Sequence, residues 1–230
     1  MSGHRFFINQ KLAEGKNITV TNKGLLHQWL TVLRFAPGEI VVLFDGHGTE
    51  ATYVLDLLKK NRAELILKST NKPLMPRRKV CLAWSLLKRE NNELVIQKAT
   101  ELGVSHLLPV VSERCVRSHV SSVRSDRWQR IATEAAEQCG RSDVPKISDA
   151  ISLLEIVNQH NQSLVVCRAG GQQATDIEKN TDITVLIGPE GGWSSEEEQL
   201  FDTHNITSLS LGQFTLRAET AAIVAAAKVA

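Results

Sequence analysis

The sequence predicts an α/β domain with a mainly parallel sheet, preceded by a small β-rich domain. Three observations carry this. From Val80 onward, short continuous apolar runs, the pattern of strands buried on both faces, alternate with stretches of helical periodicity. Before Thr70, short strand-like segments are separated by turn residues such as Pro37-Gly38. Near the end, two glycine-bearing turns each follow an apolar run and open a helix, which is where open α/β sheets bind ligands.

In chain order, His4 to Ile8 is a first strand. Leu25, Leu26, Trp29, Leu30 and Leu33 recur at helical spacing and predict a helix over Lys23 to Arg34. Glu39 to Phe44 and Thr49 to Leu57 pair as a hairpin through Asp45-Gly46-His47-Gly48, and Ala63 to Lys68 follows another turn. Such strands close readily into a small barrel. Thr70 to Lys79 (TNKPLMPRRK), with two prolines and four basic residues, reads as a semi-stiff linker and divides the chain at 72/73.

The second domain opens with a buried strand, Val80 to Leu86, and a helix, Glu90 to Leu102, stopped by Gly103. Ser105 to Val111 is the next strand, and Ser112 to Ser125 is a basic loop holding Arg114, Arg117, His119 and Arg124. A helix over Asp126 to Cys139 and a strand over Ser163 to Cys167 follow, the strand running into Arg168-Ala169-Gly170-Gly171. Thr184 to Ile187 is a buried strand that leads into Gly188-Pro189-Glu190-Gly191-Gly192, and Ser194 and Glu197 have the spacing of a capping box. Ser208 to Leu211 ends at Gly212, and after a short loop Arg217 opens an alanine-rich helix. That pattern reaches Ala230 without a cap, which leaves the helix end open to continuation or to a partner.

Composition excludes several classes. The net charge is only +2, so overall charge does not announce a nucleic-acid binder. No apolar run approaches the roughly 20 residues of a membrane span, and MSGHRFF lacks a signal-peptide pattern. Cys81, Cys115, Cys139 and Cys167 are far apart with no CxxC pair, which argues against a zinc site or a disulfide framework. The expectation is a cytoplasmic protein with reduced thiols, no metal and no membrane.

GPEGG is neither a Walker loop nor GxGxxG. Together, however, IGPEGGWSSEEE and LSLGQFTLRAETA resemble the SPOUT superfamily of RNA methyltransferases, and within it the RsmE family, which methylates N3 of one uridine in 16S ribosomal RNA. Arg5-Phe6-Phe7, Pro37-Gly38-Glu39, IQKATELGV and RWQRIATEAAEQCGR extend the resemblance over nearly the whole chain. It implies a PUA-like RNA-binding β-barrel over 1–72 and a SPOUT domain with a C-terminal trefoil knot over 73–230. It also implies S-adenosylmethionine as cofactor, a homodimer, and 16S ribosomal RNA in the small subunit as partner. Periodicity shows no knot, and general topological rules weigh against one. A SPOUT enzyme acting on another base or a ribose hydroxyl, or a non-catalytic RNA-binding relative, are the other readings.

Residue by residue, the resemblance implies that the turns hold the cofactor through Ile187, Gly188, Gly191, Gly192, Gly212 and Ala218, with Leu186, Leu211 and Leu216 packing its ring. Glycine at such turns allows close backbone approach. Uridine N3 is protonated at neutral pH, so it needs a base and a cation to hold the charge that spreads onto O2 and O4. Arg217 suits the cation, unless it merely pairs with Glu190 or Glu219. Glu219 is a candidate base, a partner for the cofactor's amino group, or an orienter of Arg217. Arg5, Arg34, Arg114 and Arg141 are expected to grip RNA phosphate, since arginine can donate two parallel hydrogen bonds.

Overall fold

The structure, a computed structural model, describes residues 4–12, 15–115, 122–160, 163–172 and 182–230. The chain divides into two units, Met1–Met75 with Ala136–Asp143, and Pro76–Ala135 with Val144–Ala230.

The first unit contains β1 (His4–Phe7), β2 (Ile18–Val20), α1 (Lys23–His27), β3 (Ile40–Phe44), β4 (Glu50–Leu58) and β5 (Ala63–Thr70). They form one sheet in the order β1-β3-β4-β5-β2, with β1 parallel to β3 and the other pairs antiparallel. Burial alternates along β4, so Ala51, Tyr53 and Leu55 face a core shared with Leu26 and Trp29. The helix expected over Lys23 to Arg34 widens after His27 into a π turn, Gln28–Val32. Leu33 donates to the Gln28 carbonyl five residues back, and Arg34 then ends the turn in the left-handed region at φ 53°.

Residues 136–143 join this unit through hydrogen bonds invisible to local pattern. Ser142 Oγ donates to Glu50 at 2.7 Å and accepts the Leu74 N–H at 3.1 Å. Glu137 accepts the Phe7 N–H at 2.8 Å.

The second unit runs β6 (Val80–Ser85), α2 (Arg89–Glu101), β7 (His106–Val111), α3 (Ser122–Cys139, its last turn grouped with the first unit), β8 (Lys146–Ile147) and β9 (Ile151–Ser152). It continues through α4 (Leu153–His160), β10 (Leu164–Gln172), β11 (Ile183–Ile187), α5 (Ser195–Thr203), β12 (Thr207–Leu209) and α6 (Ala218–Val229). The sheet order is β12-β10-β11-β6-β7-β8, with β9 also on β7, and each described pairing is parallel. α3 begins at Ser122 rather than Asp126, which turns the end of the expected basic loop into helix; Arg117 and His119 lie outside the described residues.

β11 is buried along its whole length, between β10 and β6. Val185 and Ile187 pack into the core containing α6, while Leu186 packs on the opposite side with Phe201 and Ile206. Each such side chain contributes about 1.5–3 kcal/mol of burial, so the strand that delivers the first glycine turn is firmly anchored.

Candidate active site

The two glycine-bearing turns close on one cavity of about 860 Å³ in the second unit. The turn after β11 supplies Ile187 to Trp193, and the segment from β12 into α6 supplies Ser210 to Glu219. Arg168 and Ala169 from β10, and Lys88 and Asn91 from the start of α2, complete the wall. These are carboxyl ends of parallel strands and the amino ends of their helices, where backbone N–H groups lack partners within the helix.

The glycines of the first turn serve different ends. A Cβ at Gly188 would lie 3.0 Å from the Trp193 ring, and one at Gly191 would lie 3.3 Å from the Arg114 side chain. At Gly192 no protein atom lies within 4 Å of that place; what requires glycine there is φ of +68°. The turn is closed by Gly192 N–H donating to the Pro189 carbonyl at 3.0 Å.

Three side chains hold this turn from outside. Arg114 donates Nη1 to the carbonyls of Gly191 and Trp193, both at 3.0 Å. Glu197, 7% exposed, accepts the N–H groups of Ser194 at 2.9 Å and Glu113 at 2.8 Å. With Ser194 Oγ accepting the Glu197 N–H, the capping box read in the sequence is complete. Trp193 stands edge-on to Phe201 at 5.0 Å and donates Nε1 to the Cys167 carbonyl.

Two carboxylates of the cavity, Glu190 and Glu219, are held from the α2 side. Asn91 Nδ2 donates to Glu219 at 3.3 Å, and the Lys88 N–H donates to Glu190 at 3.4 Å. Asn92, 2% exposed, locks that turn: its Oδ1 accepts from Trp84 Nε1 and the Leu87 N–H, while its Nδ2 donates to the Leu87 and Lys88 carbonyls. Arg217 is exposed at the N-cap of α6 in extended backbone, and among the described residues it makes no ion pair with Glu190 or Glu219.

Arg168 is spoken for. It donates Nε to Ser208 Oγ at 2.6 Å, Nη2 to Asp202 at 2.7 Å and Nη1 to Glu198 at 2.6 Å. Hydrogen bonds to Asp202 and Glu198 raise its pKa above the ordinary guanidinium value. Burial in the core pushes the Cys167 thiol up to about 12, so this cysteine beside the cavity is a neutral thiol rather than a nucleophile.

Of the residues expected at the site, Arg217, Glu219, Ile187, Gly188, Gly191, Gly192, Leu211, Gly212, Leu216 and Ala218 line this one cavity. Leu186 does not, because alternation along β11 turns its side chain into the core beside Phe201. Arg168 and Ala169, from the glycine-bearing segment after Cys167, line it too; Lys88, Asn91 and Trp193 also form its wall without a sequence signal, since Trp193 reads as helix flank and Asn91 as helix surface.

Two expected RNA contacts are corrected. Arg141 is 4% exposed and binds Asp143 by two parallel bonds, Nε at 2.9 Å and Nη2 at 2.6 Å, so the fork meant for phosphate holds a carboxylate. Arg5 pairs with Glu50, donates to the Arg141 carbonyl at 2.7 Å and covers the Phe44 ring at 4.4 Å. Both arginines bind parts of their own unit. Arg34 is exposed, and Arg114 is exposed but spends Nη1 on the Gly191 turn.

A parallel sheet with glycine turns gathered over one cavity at the carboxyl ends of its strands defines an α/β protein with a ligand site of the kind such sheets carry. The model of the RNA methyltransferase domain family matches residues 74–230, and that of the RNA methyltransferase PUA domain matches residues 30–68. The chain is 31% identical to ribosomal RNA small subunit methyltransferase E of Rickettsia conorii, covering 100% of this chain and 96% of that protein. It is 28% identical to the protein of the same name from Bacillus subtilis, over 96% and 93% of the two chains. The crystal structure of ribosomal RNA small subunit methyltransferase E from Neisseria gonorrhoeae bound to S-adenosyl methionine superposes with a TM-score of 0.89 at 31% identity, covering 98% and 95%. This chain belongs to the ribosomal RNA small subunit methyltransferase E family.

Proposed function

We propose that this protein transfers the methyl group of S-adenosylmethionine to N3 of a uridine in the 16S ribosomal RNA of the small subunit. The observation that carries the reading is the meeting of both glycine turns, Glu219 and the exposed Arg217 on one cavity. The cavity fits the cofactor: Gly192 lines it with open space where a Cβ would stand, and Leu211, Leu216 and Ile187 offer apolar surface for a purine ring. Bound there, S-adenosylmethionine supplies an electrophilic methyl group.

The chain's part is to ready the nucleophile. The N3 proton leaves to Glu219 Oε, whose position is set by the Asn91 bond. Negative charge then spreads to O2 and O4, where the Arg217 guanidinium holds it. Arg114 and Glu197 fix the first glycine turn, and Asn92 fixes the start of α2, from which Asn91 reaches Glu219.

The rest of the reading belongs to the same proposal. The first unit supplies RNA affinity, with Arg34 as its phosphate contact. The knot finds support in β10 lying between β12 and β11, and in the tight passage at Gly171, where a Cβ would sit 2.6 Å from the Ser208 carbonyl carbon. A homodimer is inferred, although one face of α6, through Ala222, Ala225 and Ala226, is already used by its own core. Among the described residues no helix is long and apolar enough to cross a membrane, and the inferred place of action is the cytoplasm.

The test is to incubate unmethylated small-subunit particles with the protein and S-adenosylmethionine, then map modified nucleosides by mass. N3-methyluridine at one position is expected. A ribose methyl, another methylated base or no modification overturns the proposal.

A further inference from the structure

Resting on the uridine reading above, we propose that Phe214 is the stacking platform that receives the target base. Its place in the fold is specific. It lies on the short segment between β12 and α6, three residues before Arg217, and it lines the same cavity as Arg217 and Glu219.

Its exposure sets it apart. Phe214 is 75% exposed, the most exposed of the large apolar side chains described and the only aromatic among them. Most other large rings are buried: Trp29, Trp84, Trp128, Tyr53, Phe44 and Phe201 are all below 2%. Among the described residues Phe214 has no ring partner. Trp193, the other aromatic of the cavity wall, cannot serve, because it is fixed edge-on to Phe201 and bonded to the Cys167 carbonyl.

The chemistry of the substrate calls for such a ring. N3 lies on the Watson–Crick edge of uracil, so a base that is paired or stacked within RNA must leave its neighbours before N3 can reach the cavity. That loss of stacking is offset by a flat aromatic face, which every base can use. An Arg217 guanidinium that holds the oxygens lies at the edge of the base and leaves its faces uncovered. The ring of Phe214, exposed on the same segment, covers one of them. Leu211 and Leu216, half-buried on either side of Phe214 in the chain, remain for the cofactor.

The test uses the full-length protein, small-subunit particles lacking the methyl group, and four variants: Phe214→Ala, Phe214→Leu, Phe214→Tyr and Phe214→Trp. Single-turnover methylation at saturating cofactor should fall about tenfold or more in Phe214→Ala, within the range of one lost base–aromatic stack. Phe214→Tyr and Phe214→Trp should recover most of the rate, and Phe214→Leu should not. S-adenosylmethionine affinity by calorimetry and sedimentation should match the parent throughout. A parent-like rate for Phe214→Ala, or recovery by Leu equal to that by Tyr, overturns the platform. So does weakened cofactor binding, which assigns the ring to the cofactor, or altered sedimentation, which assigns it to a second copy. If the parent itself makes no N3-methyluridine, the underlying reading fails, and the platform with it.

Discussion

The Glu197 carboxylate accepts the backbone N–H of Glu113 at 2.8 Å, tying the segment after β7 to the start of α5. Its other oxygen accepts the Ser194 N–H, so one buried side chain sets the place of both segments that flank the first glycine turn. Glu197→Gln keeps the shape but leaves one N–H facing an amide NH₂. An unsatisfied buried donor costs about 1–3 kcal/mol, so a clear fall in melting temperature is expected, with weaker stabilisation by added S-adenosylmethionine. A Gln variant that melts with the parent would mean that the bond contributes nothing.

Arg5 and Arg34 should separate. Arg5 is paired with Glu50 and covers Phe44, so Arg5→Glu places two carboxylates together in a half-buried site and should lower thermal stability. Arg34 is exposed, so Arg34→Glu should leave melting unchanged while weakening RNA binding. If it touches one phosphate, the slope of log K against log salt should drop by about 0.7–0.9. An unchanged slope returns Arg34 to ordinary surface. Deleting residues 1–70 is a poorer test, because it strips Glu50 from Ser142 and Arg5 from Arg141.

The pH response of the first unit follows from Glu50. Burial alone would raise its pKa, but hydrogen bonds from Asn71, Ser142 and Arg5 hold it below the ordinary carboxylate value. A depressed folded-state pKa adds stability that is present above the unfolded value and lost as pH falls through the folded one. Glu50→Gln should therefore be destabilised relative to the parent at pH 7, and the gap should narrow below about pH 4.3 as the parent's own carboxylate becomes protonated. Denaturant melts at both pH values check this; a gap that widens in acid would contradict the assignment.

What the sequence disclosed depended on whether the cause was local. β11 is a run of apolar residues and α2 carries an apolar stripe, and the Ser194–Glu197 capping box is written within four residues. Each could be read from its own pattern. β2, with three residues, and α4, following directly on β9, are too short or too abrupt to show a period. β10 runs on past Cys167 to Gln172 through two glycines, which read as a turn. The arginines are the instructive case. Arg141 and Arg34 look alike in sequence, and only the fold reveals that Asp143 occupies the fork of Arg141, while Glu50 and the Arg141 carbonyl engage Arg5. The cavity was legible because both turns carry their glycines in sequence; the Asn92 lock was not, since its bonds reach back to Trp84 and Leu87 across a bend.

Arg217 gives the sharpest test. It stands at the N-cap of α6 with its backbone extended, and its carbonyl accepts the Ala221 N–H at 2.8 Å, so a rigid helix fixes where the side chain begins. A cation at a helix N-terminus opposes the helix dipole at a cost of about 0.3–1 kcal/mol. Glu219 in the first turn of α6 offsets part of that cost, but among the described residues Arg217 forms no direct ion pair with Glu190 or Glu219, which accept hydrogen bonds from the α2 side. An anion supplied by the substrate would pair with it directly, and the charge on O2 and O4 of a deprotonated uracil is such an anion. Arg217→Lys keeps the charge without the planar fork, and Arg217→Ala removes both. Cofactor affinity should stay close to the parent in each. Single-turnover methylation should fall about 10²–10³-fold in Arg217→Ala, the range seen when one charge-stabilising donor is removed, and less in Arg217→Lys. Rates within a few-fold of the parent would exclude Arg217 from the transition state, and lost cofactor binding would instead make it part of the turn.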